Sequence, residues 1–199
     1  MHTKNIIIGA RLPNGNKVVY YTGVIAGQGM EAWDEIADLC YRFNVKSGVI
    51  DIYPYEDMAR HFQKKHAASM KIWLCEYKET TPLGTVFNPN TKMVQVARTE
   101  IMDTTHRLVA TPGKLILPRR AMCIDFAKQV ASPFKVLETN KKTGQKVYRY
   151  KKTNTPDHFR HALNYFELAV GSKRIGTVDT TRRGNKKQRK EVNNSYTRA

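Results

Sequence analysis

One acid and two histidines crowd the start of a single amphipathic segment: Asp157, His158 and His161 in "TPDHFRHALNYFELAV", residues 155–170. Read as a helix, the segment buries Phe159, Ala162, Leu163, Phe166 and Val170, which recur at i, i+3, i+4, i+7 and i+11. Thr155 suits the N-cap and Pro156 the first helical position. An acid in the first turn offsets the positive end of the helix dipole by ~0.3–1 kcal/mol. That accounts for Asp157 but not for His161, which stands four residues later on the same face, with His158 three before it. An acid and imidazoles converging at a helix N-terminus can hold a divalent cation, provided that a second element brings further oxygen ligands.

Asp51 is the best candidate for that second element. "GVIDIYP" places it at the carboxyl end of a short apolar strand. Active sites of open α/β sheets gather at such ends. An acid in an apolar run is costly to bury unless paired or bound to metal. The plain alternative is an Asp capping the "YPYED" turn. Asp51 with Asp157 amounts to half of a two-metal nuclease site, in which two cations activate water and stabilise the leaving oxygen of a phosphodiester.

The elements that must position these residues follow from pattern. "NIIIGARLPNGNKVVYYTGVIA" reads as a hairpin turning at "PNGN". "GMEAWDEIADLCYRFNV" carries Trp33, Ile36, Ala37 and Cys40 at helical spacing. "SGVIDIYP" is a strand that Pro54 stops, "YEDMARHFQKKH" an amphipathic helix and "SMKIWLCEY" a strand. Strand, helix, strand implies a parallel crossover and an α/β fold. After the loop "KETTPLGTVFNPNTK" come a strand "MVQVA", a helix over 99–110, a strand "KLILP", a helix over 121–130 and a second hairpin turning at "KKTG". His61 and His66 fall on the charged helix and read as solvated. Cys40, Cys75 and Cys123 are odd in number, far apart and set in apolar stretches, so they read as reduced core residues of a cytoplasmic protein.

Charge bounds the partner. Lys and Arg number 34 against 17 acids, a net +17 over 199 residues, which favours a polyanion, most often nucleic acid. No apolar run approaches the ~20 residues of a membrane span, so no membrane partner is expected. From Gly171 onward nine Lys/Arg face two acids with few apolar residues, which reads as a disordered basic tail over 171–199. Its Arg182, Arg183, Lys186 and Lys187 are candidate DNA contacts. The second hairpin alternates basic and aromatic residues. Lys141, Lys142, Lys146, Arg149, Lys151 and Lys152 would meet phosphate there, with Tyr148 or Tyr150 stacking on bases. The plain alternative is an ordinary exposed hairpin.

Four stretches, "GVIDIYPYEDMARHF", "VARTEIMDTTHRLV", "GKLILP" and "TPDHFRHALNYFELA", occur here in an order that resembles the C-terminal nuclease domain of the large terminase subunit of tailed bacteriophages. The resemblance runs from about Asn5 to Val170. It implies a ribonuclease H-like α/β fold over 1–170, a mixed sheet of about five strands flanked by helices, with a β-hairpin arm and the basic tail. It implies a metal-dependent DNA endonuclease that cuts concatemeric viral DNA during genome packaging in the cytoplasm of a bacterial host. The cofactors would be two divalent cations, Mg²⁺ or Mn²⁺. The partners would be double-stranded DNA, the terminase ATPase domain, the small terminase subunit and the portal protein. Catalysis would fall to Asp51, Asp157 and His158, and metal binding to Asp51, Asp157 and His161. Because His161 stands where many relatives carry another aspartate, the resemblance leaves open which of Asp157 and His161 completes the metal site. Arg98, Glu100 and Asp103 also match, and read as structural ion pairs. The family's first catalytic aspartate, in a D-x-G context just ahead of the segment matching "HTKNIIIGA", has no counterpart here: no acid precedes Glu31, and no G-x-x-x-x-G-K-[ST] loop occurs. The chain therefore reads as a fragment, and a catalytically incomplete DNA-binding remnant is the competing reading. An RNA-binding module is a third, which Asp51 and "DHFRHALNY" count against.

Overall fold

The computed structural model describes residues 3–79, 84–139, 144 and 146–171. β1 (Thr3–Arg11) and β2 (Lys17–Ala26) form the first hairpin. Gly15, at φ 85°, closes its turn in the left-handed region that glycine enters without strain. The register shifts between Ile8 and Gly9, where Tyr20 is the extra residue of a bulge in β2. A Cβ added at Gly9 would lie 2.1 Å from the Val18 carbonyl oxygen and 3.0 Å from the Phe166 ring, so only glycine fits that approach.

α1 (Met30–Arg42) leads to β3 (Ser47–Asp51), α2 (Glu56–Lys65) and β4 (Lys71–Tyr77). β3 and β4 run parallel, with Asp51 opposite Cys75, as the crossover argument requires. β5 (Val86–Asn88) and β6 (Met93–Val96) extend this sheet in the order β3-β4-β6-β5. β5 lies in the stretch that reads as loop from sequence; at three residues it is too short for period-2 alternation to register. α3 (Arg98–Ala110) precedes β7 (Leu115–Ile116), which joins β2 in parallel. The helix expected over 121–130 is a 3-10 turn (Arg120–Met122) followed by α4 (Ile124–Ala131). β8 (Phe134–Thr139) and β9 (Lys146–Lys151) form the second hairpin, and α5 (His158–Gly171) ends the described chain.

The expected single sheet is not found among the described residues. Strands form three sheets, β1-β2-β7, β3-β4-β6-β5 and β8-β9, within a mixed α/β arrangement with five α-helices. The first two sheets share their covering helices. On one face α1 packs Ala32 and Leu39 against Ile8 and Ile25 of the first sheet, and Trp33 and Ala37 against Ile72 and Leu74 of the second. On the other face α5 sets Phe159 and Phe166 on Val19, and Leu168 on Trp73 and Val94. Alternation of Ile7 and Ile8 along β1, and of Trp73 and Leu74 along β4, between opposite cores is the period-2 rule at work.

Two local expectations are corrected. α5 begins at His158, not near Thr155. The Asp157 carbonyl accepts the first helical bond, from His161 N at 3.2 Å, and Gln129 of α4 accepts from Phe159 N at 3.0 Å, doing the capping that Thr155 was expected to do. Thr155 is held instead in the preceding turn, its N donating to Thr153 Oγ1 and its carbonyl accepting from Ser132 Oγ. His66 is buried rather than solvated, 2.8 Å from the Tyr41 hydroxyl and packed on Phe62, and burial lowers its pKa.

Candidate functional site

Asp51 closes β3 with its carboxylate exposed and tied at both oxygens. Oδ1 accepts from the Tyr53 amide at 3.1 Å and Oδ2 from the Tyr165 hydroxyl at 2.6 Å, the length of a charge-assisted bond. Burial pushes the Tyr165 phenol well above its ordinary pKa, so it keeps the proton it donates. The first tie is an Asx turn, as the capping alternative supposed. The second joins β3 to α5.

Asp157 is buried at 7% exposure. Its Oδ2 lies 3.3 Å from His161 Nε2 and 3.7 Å from an Arg98 guanidinium nitrogen. The hydrogen bond from His161 holds its carboxyl below the usual range against the opposing pull of burial, and Arg98 adds its charge. The hydrogen-bond network assigns the imidazole tautomer. Asn164 Nδ2 donates to the Tyr77 oxygen at 3.1 Å, and Asn164 Oδ1 lies 2.7 Å from Thr105 Oγ1. The Tyr77 proton is thus left to point at His161 Nδ1, 3.1 Å away, and Nε2 carries the hydrogen given to Asp157. Arg98, 3.3 Å from the same Nε2, then pairs with the carboxylate by charge.

β1 and β3 are each the last strand of their own sheet, and a groove of about 980 Å³ lies between them. Asp51, His158, His161 and Tyr165 line it. Among the described residues Asp51 is the only acid in that lining, against Lys4, Arg11 and Lys46. The structure thus brings Asp51, His158 and His161 to one groove and seats Asp157 against His161, outside the lining. Asp51 meets α5 at Tyr165, about two helical turns beyond Asp157. The described residues hold no group of three or more His, Cys, Asp or Glu placed to bind a metal ion. The expected ligand set of Asp51, Asp157 and His161 therefore does not by itself fit a two-cation site.

On the hairpin, Arg149 pairs with Glu79 and Glu138, and Lys151 with Glu138 at 2.6 Å. Tyr150 donates to Asp103, which also holds Lys135, so its hydroxyl edge is engaged. Lys146, Lys152 and Tyr148 are exposed. Lys141, Lys142, Arg182, Arg183, Lys186 and Lys187 lie outside the described residues.

Two residues of the site went unread in sequence, and a third was read as an ion-pair residue without its partner. Tyr165 sits four residues past His161, a spacing that announces it. Tyr77 ends the strand beside β3. Arg98 reads only as a structural ion-pair partner, yet its guanidinium faces the Asp157–His161 pair; nothing in local sequence links α3 to α5. Compared with protein-family models, curated proteins and solved structures, the chain matches none. No helix among the described residues is long and apolar enough to cross a membrane.

Proposed function

We propose that this chain is the nuclease unit of a phage-type DNA-packaging terminase: a metal-dependent endodeoxyribonuclease of ribonuclease H-like fold. It acts on double-stranded DNA in the bacterial cytoplasm alongside the ATPase domain, small subunit and portal. The supporting observation is that Asp51, at the carboxyl end of a parallel strand, lines one groove together with His158 and His161. Tyr53 and Tyr165 fix the Asp51 oxygens, and Asp157 fixes His161. Asp51 with His158 or His161 would contribute to holding Mg²⁺ or Mn²⁺, but these groups fall short of the hard oxygen ligands such ions take. The cations would supply activated water and charge neutralisation. The +17 charge supports the DNA partner.

The test is nicking of supercoiled plasmid with Mn²⁺ or Mg²⁺, beside duplex binding at low salt. The chain alone should bind duplex and nick slowly, Mn²⁺ above Mg²⁺ because imidazole suits the softer ion. Asp51→Ala should abolish nicking with the fold intact. Unchanged nicking in that variant, or absence of duplex binding, refutes the reading. The second reading, a DNA-binding remnant, draws on Asp51 being the sole acid of the groove among the described residues; duplex binding without nicking under any condition would favour it.

A further inference from the structure

A cavity of about 10 Å³ lies between α1 and α2, room for roughly one ion or water. Two helix faces meet at it. α1 presents Met30, Trp33 and Asp34 at i, i+3 and i+4, and α2 presents Met58, His61 and Lys65 at i, i+3 and i+7. His66, the residue that ends α2, also lines it. The hydrogen bonds around His66 assign its tautomer. Ser69 Oγ donates its one proton to the His66 carbonyl at 3.2 Å. The Tyr41 hydroxyl, 3.4 Å from Ser69 Oγ, is then the donor of that contact, which leaves its oxygen to accept from His66 Nδ1 at 2.8 Å. No other assignment gives all three contacts a proton. Nε2 is left as a bare lone pair, buried and without a hydrogen-bond partner among the described residues, on a side chain whose residue is only 5% exposed. Burial lowers the pKa of the ring, which keeps that lone pair free of a proton. Tyr41 does not line the cavity, so the ring edge turned to it is the one that carries Nε2. A buried nitrogen of this kind is costly unless something binds it. The donors around it are two thioethers and a second imidazole, because the Asp34 carboxylate is taken by Lys65 at 2.8 Å. Thioether and imidazole select soft ions, and a neutral donor set suits a single buried charge better than two.

We propose that this cavity is a site for a soft monovalent metal ion of the Cu⁺ class, held by His66 Nε2 and the sulfurs of Met30 and Met58, with the exposed His61 as the ligand on the solvent side. The ion would tie α1 to α2 beside the Trp33–Phe62 ring contact. The site draws nothing from the nuclease reading. It lies on the face of the second sheet opposite α5 and shares none of Asp51, Asp157, His158 and His161.

The probe is Ag⁺ as its nitrate, a redox-stable stand-in for Cu⁺, added to the intact chain in chloride-free buffer. Methionine-methyl and imidazole-nitrogen NMR locate the ion, and tryptophan fluorescence gives its affinity, since Trp33 lines the cavity. The first equivalent should shift the Met30 and Met58 methyls and His66 Nε2, while His66 Nδ1 keeps its proton. Met30→Leu and Met58→Leu keep volume and apolarity. Each should weaken binding at least about tenfold, as loss of a group that supports a metal site does. His61→Ala should weaken it less, because that ring is exposed. Zn²⁺ and Mg²⁺ should leave these resonances unmoved. A first equivalent that goes to Cys40, Cys75 or Cys123 and moves none of the three groups overturns the proposal. So does an affinity unchanged in both leucine variants, or a proton found on His66 Nε2 in the metal-free chain at neutral pH. Equal shifts with Zn²⁺ overturn the choice of a soft monovalent ion.

Discussion

Thr105 and Asn164 are both fully buried, and their side chains meet at 2.7 Å beneath the Tyr77–His161 pair. Thr105→Val keeps a β-branched residue of similar helix propensity, so the change isolates the hydroxyl. It leaves Asn164 Oδ1 buried with no remaining partner, which costs about 1–3 kcal/mol. Asn164→Leu removes that acceptor and also the Nδ2–H donated to Tyr77; Thr105 keeps the Ile101 carbonyl at 3.1 Å. Its cost should be about 1–2 kcal/mol, one net hydrogen bond plus some repacking. In the double variant the orphaned acceptor no longer exists. Its destabilisation should fall short of the sum of the singles by about 1–2 kcal/mol, because replacing both partners of a buried pair is far less costly than replacing one. Urea unfolding followed by fluorescence and circular dichroism measures all four proteins, and equal m-values license the comparison. Thr105→Val within about 0.5 kcal/mol of the parent, or a double variant additive within about 0.5 kcal/mol, would refute the assigned hydrogen bond.

Three further outcomes are expected. The depressed Asp157 pKa contributes stability that is present above the unfolded value of about 3.9 and is lost as pH falls through the lower folded value; Asp157→Asn should flatten the acid arm of stability against pH, read as urea midpoints between pH 5 and the acid transition, roughly pH 3. Gly9→Ala drives a methyl into the Val18 carbonyl and Phe166, and should cost about 1–3 kcal/mol in the same urea assay, with no change in helix content. In duplex-DNA titrations, Lys146→Ala and Lys152→Ala should each lower the slope of log affinity against log salt by up to about one. Arg149→Ala should lower it less, since that guanidinium is already engaged by Glu79 and Glu138.

Local pattern carried most of the elements. Short apolar runs marked β3 and β4, and i, i+4 spacing marked the Asp157–His161 pair, because both signals depend on residues close in the chain. The start of α5 was displaced because its cap comes from Gln129, thirty residues earlier, which no local rule announces. Arg98 forms the ion pair expected of it, but its partners escaped for the same reason: they lie at the start of another helix. Alternation says which face of a strand is buried but not which strand lies beside it, so the division into two sheets was not readable. His66 was misread because its charged neighbours Lys64 and Lys65 point to solvent while its own ring turns under Phe62 and Tyr41.

The shared helices have a consequence for how the molecule comes apart. Among the described residues no ladder crosses from β1 to β3, so there the hairpin sheet and the crossover sheet are coupled through side-chain contacts on α1 and α5 rather than through main-chain bonds. Native-state exchange should therefore resolve two opening units, with β1, β2 and β7 exchanging together at a lower free energy than β3, β4 and β6. Each slackening of the helices would vary the distance between the facing edges, making the groove a breathing seam rather than a fixed cleft.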